Sequence, residues 1–252
     1  KTPRFTEKKS THLRSIGKTK MKKFLSLLIG LFFLISTPVV GEETYEMSDL
    51  VERKGIHYKK FTDVPVTGKI TGKTQGTISD GKKEGYWIYY HDNGQLSGKG
   101  TYKDGEKDGP WIEFHDNGQV ETEGSYRGGK EDGLHIWYHE NGEVFCETNL
   151  VDGKIEGSFS SFLDTGQLVF VGNYIGGKQN GLFVFYHPNG TRSETGSQVN
   201  GKKEGPWVTY SRSGDVLSFK VYKDGKRVGD WIEPERQYSE IFDPKNLGQK
   251  ND

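Results

Sequence analysis

The sequence predicts an all-β fold, an elongated array of antiparallel hairpins forming a single twisted sheet. Three observations predict it. The stretch DGKKEGYWIYYHDNG at 80–94 returns as DGEKDGPWIEFHDNG at 104–118, GGKEDGLHIWYHENG at 128–142 and NGKKEGPWVTYSRSG at 200–214. Glycines at Gly81, Gly105, Gly129, Gly153, Gly177, Gly201 and Gly225 recur every 24 residues, and further series from Gly85 and Gly94 keep the same phase. Only 31% of residues are hydrophobic, whereas 13% are aromatic and 35 are glycine, a balance suited to short strands and tight turns. A strict period of this length means stacked supersecondary units that share a continuous core.

Disorder is excluded by the aromatic content and the unbroken period. Lysine plus arginine equals aspartate plus glutamate at 35 each, so no net field draws the chain to nucleic acid. Cys146 is the single cysteine, which rules out an internal disulfide and a thiolate metal cluster. Its place in a predicted strand reads as a small buried apolar residue.

Taken in order, residues 1–20 are basic, polar and without period, and are expected to be an upstream extension of the reading frame. Met21-Lys22-Lys23, the apolar run Phe24–Ile35 and the small residues to Gly41 read as a signal peptide over 21–41. The mature product is expected to be exported to the periplasm or secreted, starting at Glu42. The alternative is an uncleaved inner-membrane anchor, for which the run to Val40, with Pro38 inside it, is at the short limit. Residues 42–60 form an N-terminal segment in which Met47–Arg53 could make one helical turn.

The array is expected over 61–234, with 61–80 as a degenerate capping repeat and 235–252 as a polar tail. Within a unit, Tyr86–His91 and Gln95–Lys103 read as strands joined at Asp92-Asn93-Gly94. A three-residue loop with Gly94 in the left-handed region pairs Tyr90 with Leu96 and Ile88 with Gly98. That choice places slots 88, 90 and 96 on one apolar face. Roughly fourteen strands at about 4.8 Å spacing follow. The turns are assigned to Gly81, Gly85, Gly94, Gly105, Gly109 and Gly118.

The spacing G-x-x-x-G-x-W-x-x-Y-x-x-x-G, as in Gly81, Gly85, Trp87, Tyr90 and Gly94, resembles the MORN-repeat family in its bacterial variant form. The unit 153–176 departs most, with Ser160 and Ser161 where bulky residues stand elsewhere. The resemblance implies a scaffold or a binder of protein or phospholipid, and for bacterial relatives an antitoxin label.

Candidate chemistry is sparse. His91, His115, His139 and His187 share one slot, but successive copies lie two strands, roughly 9–10 Å, apart, too far to share a metal bound at about 2 Å. They read as polar turn residues. Gly68–Thr74 is one residue short of a phosphate loop and precedes no helix pattern. Asn189-Gly190-Thr191 is a formal glycosylation sequon at a turn. No nucleophile–base–acid set stands outside the repeated slots, so no enzyme activity, cofactor or metal is expected.

The large aromatics Trp87, Trp111, Phe183, Trp207 and Trp231 are the candidate binding residues, a strip on a face otherwise dotted with charge. The expectation is a non-enzymatic protein-binding or scaffold protein of the bacterial cell envelope. Alternatives are an antitoxin-type protein neutralising a partner toxin, and a carbohydrate- or membrane-surface-binding module.

Overall fold

The computed structural model describes residues 43–231, with the backbone alone at Trp231. The expected extension 1–20, the signal segment 21–41 and the tail 235–252 lie outside the described residues. Among the described residues no helix is long and apolar enough to cross a membrane.

The period is realised as a meander. From Gly68–Thr71 to Lys226–Trp231, each strand pairs antiparallel with the next in the chain, making an 18-stranded sheet. That figure exceeds the expected fourteen partly because it includes the parallel strand Thr44–Glu46, which pairs with Gly68–Thr71. It also counts both halves of two divided strands, Lys130–Glu131 with Gly133–Tyr138 and Lys178–Gln179 with Gly181–Tyr186.

Two turn types alternate. At one edge, Asp104 (φ 53°) and Gly105 (φ 90°) make a two-residue turn, left-handed at both positions, which matches the twist of the strands it joins. At the other edge the loop Asp92-Asn93-Gly94 is closed by His91 N–H donating to the Gln95 carbonyl at 2.8 Å, with Gly94 at φ 86°. Tyr90 pairs with Leu96 as the sequence predicts.

The next pair differs. Ile88 stands opposite Lys99, not Gly98, because Ser97 bulges out between Leu96 and Gly98. The bulge leaves 88, 90 and 96 on one face and moves the opposite face by one residue. A larger bulge follows each first strand's entry: Gly100 pairs with Trp111 but Tyr102 with Lys107. Gly109 (φ 93°) and the Thr101 hydroxyl, which donates to the Asp108 carbonyl, hold it.

These registers generate two rows across the sheet on opposite faces. One runs Trp87, Gly100, Trp111, Gly124, His135, Thr148, Phe159, Gly172, Phe183, Gly196, Trp207. The other runs Ile88, Lys99, Ile112, Glu123, Ile136, Glu147, Ser160, Val171, Val184, Thr195, Val208, Phe219. They are called the tryptophan face and the isoleucine face below.

The start of the sheet is capped. Met47–Asp49 is a single 3-10 turn, but Leu50–Arg53, expected to continue it, is a strand paired with Ile56–Lys59 through the tight turn at Lys54-Gly55. Leu50 and Val66 from this cap bury against Ile70, Ile78 and Trp87. Gly68–Thr71 turns straight into Thr74–Ser79, so the phosphate-loop resemblance has no helix to complete it.

Cys146 lies on the tryptophan face between Trp137 and Ser161, 7% exposed, and burial pushes its thiol up to about 11. Relative to an ordinary cysteine this cuts the thiolate fraction at pH 8 by about 100-fold. A maleimide or iodoacetamide time course should therefore show native protein reacting at least that much more slowly than protein in urea. Equal rates would mean the strand opens freely.

Candidate functional site

The expected aromatic strip is not a surface. Trp87 is 0% exposed, Trp111 5%, Phe183 0% and Trp207 2%. Each ring lies flat over a glycine of the preceding strand. A Cβ on Gly100 would sit 1.8 Å from Trp111 Cε3, and one on Gly196 2.2 Å from Trp207 Cδ2. Gly76 stands in the same relation to Trp87, Gly124 to His135 and Gly172 to Phe183. The rings therefore fill the space that missing side chains leave, an aromatic cover for sheet glycines.

Lysines close the lid. Lys83, Lys107 and Lys203 place their ammonium groups 4.7, 4.0 and 3.7 Å from the centroids of Trp87, Trp111 and Trp207. Lys107 and Lys203 also pair with Glu113 (3.2 Å) and Glu194 (2.9 Å). Burial lowers the Lys83 pKa. The candidate residues Trp87, Trp111, Phe183 and Trp207 are thus core, and their assignment to direct partner contact is corrected. Trp231 pairs through its backbone with Phe219, one residue out of the register that sets Trp207 opposite Lys220.

Two exceptions confirm the relation. His135 takes the indole slot, wholly buried, with its Nε2 lacking a hydrogen-bond partner among the described residues. Phe159 stands opposite Thr148, the one member of the glycine row with a side chain before Phe183, and it stays half-buried. The glycine row was the signal missed: Gly76, Gly100, Gly124, Gly172 and Gly196 keep the 24-residue phase.

The repeated histidines act as polar turn residues, as expected. His91, His115, His139 and His187 each donate Nε2–H to a backbone carbonyl of the next turn, at Phe114 (2.7 Å), Tyr138 (3.1 Å), Phe162 (3.0 Å) and Tyr210 (2.9 Å). Beside them, the amides of Asn93, Asn117, Asn141 and Asn189 donate to Asp116, Glu140, Asp164 and Arg212 carbonyls. The Asn189 amide of the sequon is thereby engaged. Among the described residues no group of three or more His, Cys, Asp or Glu is placed to hold a metal.

At the opposite edge the carboxylates of Glu84, Glu156 and Glu204 accept backbone N–H groups of the following turn at Asp104, Gly176 and Asp224. Both edges are therefore laced from unit to unit. His91 also sets Nδ1 2.9 Å from Asp116, so His91→Ala removes two contacts. It should cost about 1 kcal/mol in urea denaturation, and no loss would show that water replaces the bonds.

The isoleucine face is partly exposed. Ile112 (2% exposed) and Ile136 (8%) are buried, while Leu134 and Leu182 on the same face stand about half exposed. No second layer lies over Ile88, Tyr90, Phe114, Phe162, Val184 or Tyr210 among the described residues, and all except Val184 remain half-buried. Lys99, Glu123, Glu147, Ser160 and Thr195 interrupt the row, two of them acids. Glu123 is buried and takes the Tyr138 hydroxyl hydrogen bond. Glu147 is half-buried with no hydrogen bond or ion pair among the described residues, and burial raises its carboxyl pKa.

Residues 83–104, 107–127 and 131–152 each match the family model described as MORN repeat variant. The three matched stretches are consecutive, and the hairpins on either side of them follow the same period and register. A search of curated proteins finds no match to the chain.

Proposed function

We propose that a chain carrying consecutive MORN-variant repeats works as a non-enzymatic protein-binding module of the bacterial cell envelope, and that contact is made by the isoleucine face. The supporting observation is that apolar side chains on this face remain partly accessible, Leu134 and Leu182 about half exposed and Ile88, Tyr90, Phe114 and Phe162 half-buried. Partly exposed apolar side chains are what a partner buries. The tryptophan face is less suited, since its largest rings are already spent on the sheet's own glycines.

A photo-crosslinking amino acid at Leu134 or Leu182, both on the isoleucine face, should trap a partner protein, while one at Lys220 on the opposite face should not. Crosslinks from Lys220 alone would overturn the assignment of the face. Export is proposed from the Met21–Gly41 segment. Cell fractionation with N-terminal sequencing tests it: a periplasmic product beginning near Glu42 supports it, and a cytosolic chain retaining residues 22–40 overturns it.

A further inference from the structure

We propose that the turn-side edge of the isoleucine face, from Val151 to Lys202, binds an extended partner segment that carries a carboxylate at every third residue. This rests on the docking reading above and names the chemistry of what docks.

The cross-strand registers build a row there in which aliphatic and cationic side chains alternate. Val151 stands opposite Lys154, Ile175 opposite Lys178 and Val199 opposite Lys202. Directly opposed residues share a face, and Val151, Ile175 and Val199 keep the alternation of Glu147, Val171 and Thr195, so the row lies on the isoleucine face. Unlike the centre of that face, it meets solvent: the three aliphatics are each about half exposed and the three lysines are exposed. Leu134 and Leu182, also half exposed, stand diagonally beside Val151 and Val199.

The lysines of this row lack what other cations of the sheet have. Lys107 and Lys203 pair with Glu113 and Glu194, Lys130 reaches Asp152 at 3.9 Å, and Lys103 faces Glu106. Lys154, Lys178 and Lys202 have no side-chain hydrogen bond or ion pair among the described residues. The carboxylates on two of their strands, Glu156 and Glu204, are held by the backbone N–H groups of Gly176 and Asp224. The earlier pair Arg127–Lys130 and the later pair Lys223–Lys226 have no aliphatic member, which confines the alternation to three consecutive units.

The spacing sets the form of the ligand. Successive lysines are two strands, roughly 9–10 Å, apart. A polyproline-type helix has three residues per turn and a rise of about 3.1 Å per residue, so acids at every third position fall on one side about 9.3 Å apart. Its intervening apolar residues then meet Val151, Ile175 and Val199. A β-strand would put such acids on alternate sides, and an α-helix repeats a side every seven residues, about 10.5 Å, which drifts out of step over three lysines.

The probes are fluorescein-labelled peptides titrated against the full chain by anisotropy: four repeats of Glu-Pro-Val, six of Glu-Val, and a helical peptide with glutamate every seventh residue. The Glu-Pro-Val peptide should bind tightest, although the Glu-Val peptide carries more charge. Lys178→Glu should weaken it about tenfold or more and Ile175→Ser about threefold, whereas Lys60→Glu in the cap, an equal change in net charge, should not. Thermal melting checks the fold of each variant. If another spacing binds as tightly, if no peptide binds, or if Lys178→Glu binds unchanged, the acidic-segment subsite is overturned. Phosphatidylglycerol vesicles that bind where the peptides do not would overturn it in favour of a lipid surface. The crosslinks at Leu134 and Leu182 judge the face separately: protein trapped there keeps face docking when the subsite fails, and crosslinks from Lys220 alone end both.

Discussion

Gly100→Ala should lower stability by about 3 kcal/mol or more, the largest effect of any single methyl group added to this sheet. The backbone is not the reason. Gly100 is absent from the positive-φ glycines, so alanine can adopt its conformation without strain. The entire penalty comes from a Cβ placed 1.8 Å from Trp111 Cε3 and within 2.6 Å of two further ring atoms. That ring cannot swing away, because Tyr102 and Tyr126 stand edge-on to it at 5.3 and 6.2 Å and Lys107 lies over it. Gly94→Ala is the contrast, with nothing within 4 Å but a φ of 86°, and should cost only about 1–2 kcal/mol. The decisive check is a double-mutant cycle by urea denaturation. In a Trp111→Ala background, Gly100→Ala should become neutral or stabilising, since alanine suits a strand better than glycine once the ring is gone. A penalty that persists in that background would place the strain somewhere other than the ring.

Trp207→Ala should cost about 3–5 kcal/mol and melt the end of the array before its beginning. Trp207 is 2% exposed, donates Nε1–H to the Ser197 carbonyl at 3.0 Å, and supports the Lys203 stem whose ammonium pairs with Glu194. Removing it leaves Gly196 with neither a side chain nor a cover. Because each unit touches only its neighbours, the damage should remain local. Hydrogen exchange on the variant should show protection lost over residues 192–231 and retained over 68–127. Uniform loss along the chain would mean that the units fold as one cooperative block.

Much of this fold was legible because the sequence states the same unit several times. The phase of Gly81, Gly94 and their repeats fixed the hairpins, and the Gly94 loop fixed the pairing of Tyr90 with Leu96. The histidine slot was legible too, since strand spacing alone forbids a shared metal. The bulge at Ser97 was not: nothing in a serine distinguishes it from a paired residue, and the pairing of Ile88 with Lys99 follows only once it is placed. The role of the tryptophans was misread for a related reason. Read along the chain, the tryptophan slot keeps polar company on its own face, as Glu113 beside Trp111 and Thr209 beside Trp207; read across strands, Trp87 meets Gly76 and Gly100. A ring that looks exposed in its own strand is buried by absences in the adjacent ones. The cap at 43–67 has one copy and no period, so its strand Leu50–Arg53 was read as part of a helical turn. The unpaired acid at Glu147 could not be singled out before the rows were known, because its slot carries lysine, valine, threonine and phenylalanine in other units.

The lacing at the two edges has a genetic consequence. The histidine and asparagine bonds, like the carboxylate caps, reach only from one turn to its immediate successor, so no contact counts how many units precede it. Slippage during replication that adds or deletes a whole 24-residue cassette would rejoin equivalent edges and leave every remaining bond satisfied. Copy number can therefore drift between lineages without a penalty in folding. Where the cassette is gained, before or after Glu147, decides how far that carboxylate stands from the capped end, and so offers inheritance a ruler with marks about two strand spacings, roughly 10 Å, apart.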